Sequence, residues 1–187
     1  MTLTNEQKKL LLQIAKKAIE EEFTQKTLID KDELVKNNPW LLKEQAVFVT
    51  LNKNHNLRGC IGSIIPHRAL IDDLIANAKA AAFSDPRFNP LSKEELKDIE
   101  IEVSLLTVPK ELLYKDIEDL RNKIRPMVDG VILQLDGYQA TFLPQVWEDL
   151  KSFDEFFAHL CLKASLPMDC LKYHPKIYTY QVEKIEE

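Results

Sequence analysis

The chain lacks the features of a membrane-spanning or secreted protein. Its longest uninterrupted apolar runs, Ala80 to Phe83 and Gly130 to Leu133, are far shorter than the roughly 20 residues that a membrane-spanning helix needs. The first residues, Met1 to Lys9, are polar and do not show the basic region followed by an apolar region that is typical of a secretory signal. We therefore expect a soluble, cytoplasmic protein.

Cysteine is scarce, and no cofactor motif is present. The three cysteines are Cys60, Cys161 and Cys170, an odd number at wide spacing that matches neither a disulfide framework nor a zinc motif. We therefore expect reduced thiols and no metal site. There is no Walker A loop and no G-x-G-x-x-G fingerprint, so the sequence leaves any cofactor unknown.

The balance of charge disfavours nucleic acid as a partner. The chain has 25 basic and 30 acidic side chains, a formal net charge of −5, which repels a phosphate backbone. With 187 residues, 45% of them hydrophobic, the chain is long enough to bury a substantial core. We predict one domain over residues 1–187.

Several helices are predicted from capping boxes and from apolar stripes. In a capping box, a Ser or Thr hydroxyl accepts the amide three residues later, and a Glu or Gln at that later position reaches back. Apolar side chains at intervals of three and four residues then mark the buried face of a helix. The predicted helices run from Thr4 to about Phe23, from just after Pro66 through Leu70 to Ala81, briefly from Ser92, and from Ser152 through Cys161.

Alternating apolar residues and turn residues predict the strands. They are Ala46 to Leu51 and Leu57 to Ile61 as an antiparallel hairpin, Ile99 to Leu105 as a half-buried strand, Val128 to Leu135 and Tyr138 to Phe142 as a hairpin around Asp136-Gly137, and Ile177 to Val182 as a closing strand. Intermingled strands and helices favour an α+β fold with a mixed, mostly antiparallel sheet flanked by helices.

The stretch Leu57 to Gly62 is the strongest candidate for a functional site. Regular strand alternation places Arg58 and Cys60 on one face, where the cation would favour the thiolate form of the cysteine. Gly59 and Gly62 suggest a bulge, or a close approach by a ligand or another backbone. The alternative is that Cys60 is a small buried apolar residue and that the glycines only allow tight packing.

The connection after this strand is a candidate anion-binding segment. It leads from Gly62 and Ser63 through Pro66 into the predicted helix, whose free amides and positive dipole end would face the same region. Ser63, His67 and Arg68 are additional hydrogen-bond donors on this connection.

Five blocks of sequence carry a resemblance to a known family. They are Phe48 to Leu51 with LRGCIG at 57–62, AAFSDPRF at 81–88 with Pro90-Leu91, EVSLLT at 102–107 with Pro109, Asp129-Gly130-Val131, and ATFLPQVW at 140–147. In this order they closely resemble the AMMECR family, of the prokaryotic AmmeMemoRadiSam system protein A type. The resemblance spans roughly residues 10–183 and implies two intermingled subdomains with a groove near the LRGCIG strand.

The resemblance implies no particular reaction. Prokaryotic members of the family are often encoded beside Memo-type and radical-SAM proteins or fused to them, which makes such proteins candidate partners. Three positions depart from the family pattern: His55, Met127 and Ser165 stand where we expect glycine. The local loop shape at these positions is therefore left open, whereas the expected fold is unchanged.

Asp85 and Arg87 have two interpretations. They could line a groove opposite Arg58 and Cys60, with Asp85 as a general acid or base and Arg87 as an anion clamp. Alternatively, Asp85 and Pro86 form an ordinary turn after a helix, and Arg87 forms an internal ion pair with Asp85.

Two functional hypotheses follow from these residues. The first is an enzyme that acts on a small anionic substrate, with Cys60 and Asp85 as candidate catalytic residues and with substrate-binding residues Arg58, Gly59, Gly62, Ser63 and Arg87. The second is a non-catalytic adaptor domain that works with a Memo-type or radical-SAM partner.

Overall fold

The computed structural model describes residues 2–187, which divide into two compact units. Unit 1 comprises residues 2–106 and 183–187, and unit 2 comprises residues 107–182. Both contain helices and an antiparallel sheet, so the predicted α+β class is confirmed. That residues 1–187 form one domain stays a prediction.

Unit 1 is a four-stranded sheet covered by helices. Its elements are α1 (Asn5–Thr24), α2 (Lys31–Asn37), β1 (Ala46–Lys53), β2 (Asn56–Gly62), α3 (Leu70–Phe83), β3 (Ile99–Leu106) and β8 (Val182–Glu186). The strand order is β2-β1-β3-β8, with β1 antiparallel to both β2 and β3. Apolar residues of α1, α3 and the sheet form one continuous core, with Leu11, Ile71 and Val49 fully buried.

Unit 2 has a second four-stranded sheet with its own core. Its elements are β4 (Lys110–Glu111), α4 (Ile117–Lys123), β5 (Gly130–Leu135), β6 (Tyr138–Phe142), α5 (Phe153–Lys163) and β7 (Lys176–Tyr180). The strand order is β4-β7-β5-β6, and the pairings are antiparallel. Trp147 stacks on Phe156 at the centre of this core, with ring centroids 3.7 Å apart.

Several local predictions are confirmed. The capping box at Thr4 has both of its hydrogen bonds, and α1 ends at Thr24, one residue beyond the predicted end. The Asp136-Gly137 turn has φ of +51° and +83° at its two residues, as a two-residue type I′ hairpin requires. At Ser92 and Ser152 the hydroxyl accepts the amide three residues later, although the short segment after Ser92 forms a 3₁₀ turn.

Three predictions about elements are wrong in detail. Helix α3 does not begin after Pro66 but at Leu70, with Ala69 as its N-cap. The polar side of β3 is exposed at Glu100 only, because Glu102 and Ser104 are buried. The predicted closing strand is two strands in two different sheets, β7 and β8. The pattern also missed α2 and α4, which are short helices of seven residues each.

The prediction of three reduced thiols is wrong for two of them. Cys161 in α5 and Cys170 form a disulfide within unit 2, and both residues are fully buried. Their separation of nine residues matches no sequence pattern, and they meet only because the chain folds back after α5. Cys60 is the free cysteine of the described residues.

The three positions where glycine was expected all have left-handed backbone conformations. The φ values of His55, Met127 and Ser165 are +63°, +69° and +63°, a region that glycine adopts without strain. Each of these three residues therefore adopts a backbone conformation that is uncommon for residues other than glycine. Among the described residues, no helix is long and apolar enough to cross a lipid bilayer.

Candidate functional site at the Cys60 strand

A bulge in β2 redirects Arg58. Residues pair regularly from Gly62 to Gly59 along β1, but the register then shifts so that Leu51 faces Gly59 and Asn52 faces Leu57. Arg58 is thus the extra residue of a β-bulge, a feature that re-aims side chains. The expected alternation, which placed Arg58 beside Cys60, assumed a strand without a bulge.

Arg58 binds the segment that follows α3 rather than the thiol. Its Nε and Nη2 donate to the two carboxylate oxygens of Glu95, both at 3.0 Å, and Nη2 also donates to the carbonyl oxygen of Asn89 at 2.9 Å. Its guanidinium lies 5.8 Å from the ring centroid of Phe88. The prediction that Arg58 activates Cys60 is therefore not supported, because the Arg58 charge is directed to Glu95; a substrate-binding role of Arg58 stays a prediction.

Both glycines of the motif have a packing reason. A Cβ on Gly59 would lie 2.1 Å from the backbone oxygen of Ala81, and a Cβ on Gly62 would lie 2.2 Å from the ring of Phe48. Gly59 therefore allows α3 to approach β2 closely, and Gly62 makes room for an aromatic ring. A role of either glycine in substrate binding stays a prediction.

Asp85 caps the backbone of Cys60. Its Oδ2 accepts the Cys60 amide at 2.9 Å and Nη2 of Arg87 at 2.8 Å, while Oδ1 accepts the amide and Nε of Arg87. Asp85 is buried, and the hydrogen bonds from Arg87, against the opposing effect of burial, lower its pKa well below the usual range. A carboxylate held in this way is a poor general acid or base near neutral pH, so the structure favours the ion-pair interpretation of Asp85.

Arg87 combines a fixed position with exposure to solvent. Asp85 holds Nε and Nη2, and Nη2 also lies 3.4 Å from the carbonyl oxygen of Cys60. Its side chain is nevertheless 54% exposed, and no acceptor for Nη1 occurs among the described residues. The guanidinium lies 5.5 Å from the Phe88 ring centroid. Arg87 is therefore a pre-oriented cation with hydrogen-bonding capacity left for a ligand.

Cys60 is a partly buried free thiol. Burial raises its pKa above the usual range; a hydrogen bond with Thr50 and the Arg87 charge act in the opposite direction, and the charges of Asp85 and Glu102 add to the increase. The Thr50 hydroxyl lies 3.2 Å from the sulfur. The prediction of a lowered pKa at Cys60 is therefore wrong, because burial outweighs the nearest cation and that cation is Arg87 rather than Arg58.

A polar row across the sheet was missed by the sequence analysis. Thr50 on β1 faces Cys60 on β2 and Glu102 on β3, and Nζ of Lys184 on β8 lies 3.1 Å from Oε2 of Glu102. Thr50 and Glu102 are each 7% exposed. The alternation in β3 was the available signal, but alternation alone cannot tell a buried polar face from a solvated one.

Ser63 belongs to a buried network around Asp73 rather than to an open anion site. Asp73 lies in the first turn of α3 and accepts the Ser63 hydroxyl at 2.8 Å, Nε of Arg68 at 2.7 Å and the Val47 amide at 3.0 Å. A carboxylate of the chain therefore occupies the start of the helix, where an external anion was predicted. The described residues contain no group of three or more His, Cys, Asp or Glu side chains that could hold a metal ion.

Comparisons with known proteins agree with the motif resemblance. The model of the AMMECR1 family matches residues 12–185. A protein of Saccharolobus islandicus is 44% identical over 179 residues, which cover 90% of this chain and 75% of that protein. A protein of Methanothermobacter thermautotrophicus is 40% identical over 194 residues, covering 99% and 96% of the two chains.

A solved structure shows the same fold. The crystal structure of uncharacterized protein PH0010 from Pyrococcus horikoshii superposes with a TM-score of 0.85 at 35% sequence identity, covering 97% of this chain and 92% of that one. The printed names of these relatives assign them no activity. Sequence, family model and fold agree, and the chain belongs to the AMMECR1 family.

Proposed function

We propose that this chain binds a small anionic molecule at the surface formed by Arg87, Phe88 and Cys60. The observation that carries the proposal is the guanidinium of Arg87, which Asp85 fixes on one side and which is 54% exposed on the other. Planar, pre-oriented guanidinium groups suit carboxylate and phosphate oxygens. The Cζ atom of Arg87 lies over the Phe88 ring, 5.5 Å from the ring centroid.

In this proposal Cys60 meets the anion as a neutral thiol and not as a thiolate nucleophile. Its raised pKa keeps the S–H group intact near neutral pH, and a neutral thiol can donate a weak hydrogen bond to an anion. If the chain is an enzyme, as the first hypothesis holds, Cys60 acts there in its neutral form, because a raised pKa leaves little thiolate for nucleophilic attack near neutral pH.

The binding test uses two matched arginine variants. Inorganic phosphate and sodium acetate are titrated into the protein at low ionic strength, and the amide resonances of Asp85, Arg87 and Phe88 are followed by NMR. We expect Arg87→Gln to weaken binding about tenfold or more, the scale of a lost hydrogen bond to a charged group. Arg125→Gln is the control, because Arg125 is also an exposed partner of a buried aspartate, Asp129.

Equal affinity in both variants would contradict the proposal, and so would the absence of any shift at Asp85, Arg87 and Phe88 in the wild-type protein. Arg87→Lys refines the result. It keeps the charge but loses the planar fork, so we expect an intermediate affinity.

One observation favours the alternative of a non-catalytic adaptor for a Memo-type or radical-SAM partner. Arg58, Gly59 and Asp85 all have structural contacts, which leaves few motif residues for chemistry. In that case Cys60→Ser spares partner binding, whereas Arg87→Glu abolishes it. A cytoplasmic location, such partners and an active-site role of Cys60 stay predictions.

A further inference from the structure

The thiol of Cys60 lies at one end of a polar row that a strand pattern alone does not reveal. The row continues from Cys60 to Thr50 and Glu102 on adjacent strands, in register. Directly opposed residues on neighbouring strands have Cβ atoms about 5 Å apart. At its far side, Glu102 lines a cavity of about 250 Å³ together with Asn52 and Glu100.

Thr50 has a limited choice of partners. It is only 7% exposed, and the partner of its hydroxyl among the described contacts is the Cys60 sulfur at 3.2 Å. A buried hydroxyl without a partner costs free energy, so this contact fixes the Thr50 rotamer and the position of the Cys60 sulfur, whichever of the two atoms donates.

Glu102 supplies a negative charge on the same face. Lys184 partly compensates it at 3.1 Å, but the lysine lies on the side of Glu102 away from Thr50, since the strand order is β2-β1-β3-β8. A carboxylate near a thiol disfavours the thiolate. Thr50 and Glu102 thus act on the pKa of Cys60 in opposite directions: the hydrogen bond with Thr50 lowers it, and the charge of Glu102 raises it.

We propose that Thr50 and Glu102 are the positioning residues of Cys60: Thr50 fixes the sulfur by direct contact, and the Glu102 carboxylate, one strand further along the row, adds a negative charge that favours the neutral thiol beside the larger effect of burial. This inference rests on the proposed function in one respect: the role of the thiol is to donate a hydrogen bond to the bound anion. The other charged groups that act on Cys60 are Asp85 and Arg87, which form a pair with each other. Arg58, on the same strand, is directed to Glu95.

The test is the pH profile of Cys60 alkylation by iodoacetamide in the ligand-free protein. A neutral reagent is used because Arg87 would attract an anionic one. We expect Glu102→Gln to accelerate alkylation below the midpoint about three- to tenfold, because a nearby negative charge is removed. We expect Thr50→Val to slow it by a similar factor, because the thiolate loses its hydrogen-bond donor.

Two controls separate positioning from general damage. Thr50→Ser keeps the hydroxyl and should restore the wild-type profile. Glu100→Gln changes a carboxylate two residues from Glu102 that is solvent-exposed, and it should leave the profile unchanged. If Glu102→Gln does not fold, Lys184→Met serves instead, with the opposite expectation: slower alkylation, because Glu102 loses its compensating cation.

Opposite shifts for Glu102→Gln and Thr50→Val support the inference. The inference would be overturned if both variants had the wild-type pH profile of alkylation, or if both profiles shifted in the same direction. The result is independent of the phosphate and acetate titration, so failure of anion binding at Arg87 and failure of this inference are distinguished.

Discussion

At the scale of single residues, the LRGCIG motif serves packing as much as chemistry. Gly59 lies under the last turn of α3, where the backbone oxygen of Ala81 would be 2.1 Å from any Cβ. The contact is with backbone, which cannot rotate away as a flexible side chain can. Substituting Gly59 therefore has to move α3 relative to β2.

We predict that Gly59→Ala destabilises the protein by ~1–3 kcal/mol, the cost of overpacking a well-packed site. Chemical denaturation followed by circular dichroism measures it. Gly137→Asn is the comparison for backbone strain without overpacking, because Gly137 has open space around its Cβ position but a φ of +83° that strains a side chain, and the loss there should be smaller, at most about 1 kcal/mol. A Gly59→Ala protein as stable as the wild type would refute this account of the motif.

Features of single residues were predictable from the sequence where their causes are local. The type I′ turn at Asp136-Gly137 and the cap at Thr4 were predictable because their physical causes are local. The electrostatic environment of Cys60 was not predictable. It depends on the bulge at Arg58 and on Glu102, which is 42 positions away in sequence and lies on the other side of Thr50 in the sheet.

At the scale of elements, two of the motif blocks hold each other in place. The segment after α3 is fastened to β2 by Asp85, which accepts the Cys60 amide, and by Arg58, which binds Asn89 and Glu95. Lys53 on β1 adds a third cationic contact to Glu95 at 3.0 Å. The hydrogen bonds between β2 and the segment after α3 thus explain the LRGCIG and DPRF blocks together. Neither block predicts these hydrogen bonds when it is considered alone.

We predict that Glu95→Gln destabilises the protein by ~1–2 kcal/mol near pH 7, the scale of a partly buried charged hydrogen bond. The hydrogen bonds of Arg58 lower the pKa of Glu95 well below its usual range. A lowered pKa gives stability that is present above the unfolded-state pKa and is lost as the pH falls. The difference between variant and wild type should therefore shrink below about pH 4.

Urea unfolding at a series of pH values measures this difference. Glu94→Gln is the control, since Glu94 is an exposed neighbour of Glu95 and should show little effect at any pH. A Glu95→Gln deficit that stays constant from pH 7 to pH 3 would contradict the assignment of an ionic clamp.

Two further motif blocks, Asp129-Gly130-Val131 and ATFLPQVW at 140–147, are explained by contacts within unit 2. Nε1 of Trp147 donates to the carbonyl oxygen of Asp129 at 3.0 Å, and Gly130 leaves room for the ring of Tyr180. The Thr141 hydroxyl lies 2.9 Å from that of Tyr180. These residues hold the β5-β6 hairpin in place, so the resemblance of these blocks to the family predicted the fold but carried no information about a reaction.

At the scale of the whole molecule, the two units each contain their own sheet and core. The α+β class followed from the order of elements, because intermingled hairpins and helices leave few other arrangements. The division into two units was implied only by the family resemblance, and the Cys161–Cys170 disulfide did not follow from the sequence, since it depends on a contact between residues without a pattern in sequence. The disulfide has one useful consequence: Cys60 is left as the free thiol of the described residues.

The most direct test of the central claim is therefore a thiol titration of the whole, non-reduced chain. Alkylation with iodoacetamide across pH, followed by mass spectrometry, reports Cys60 alone. We predict one modified thiol per chain and a midpoint above the unperturbed value of about 8.5, because burial raises the pKa of Cys60. A midpoint clearly below that value would show a stabilised thiolate and would contradict the proposal that Cys60 faces its ligand in the neutral form.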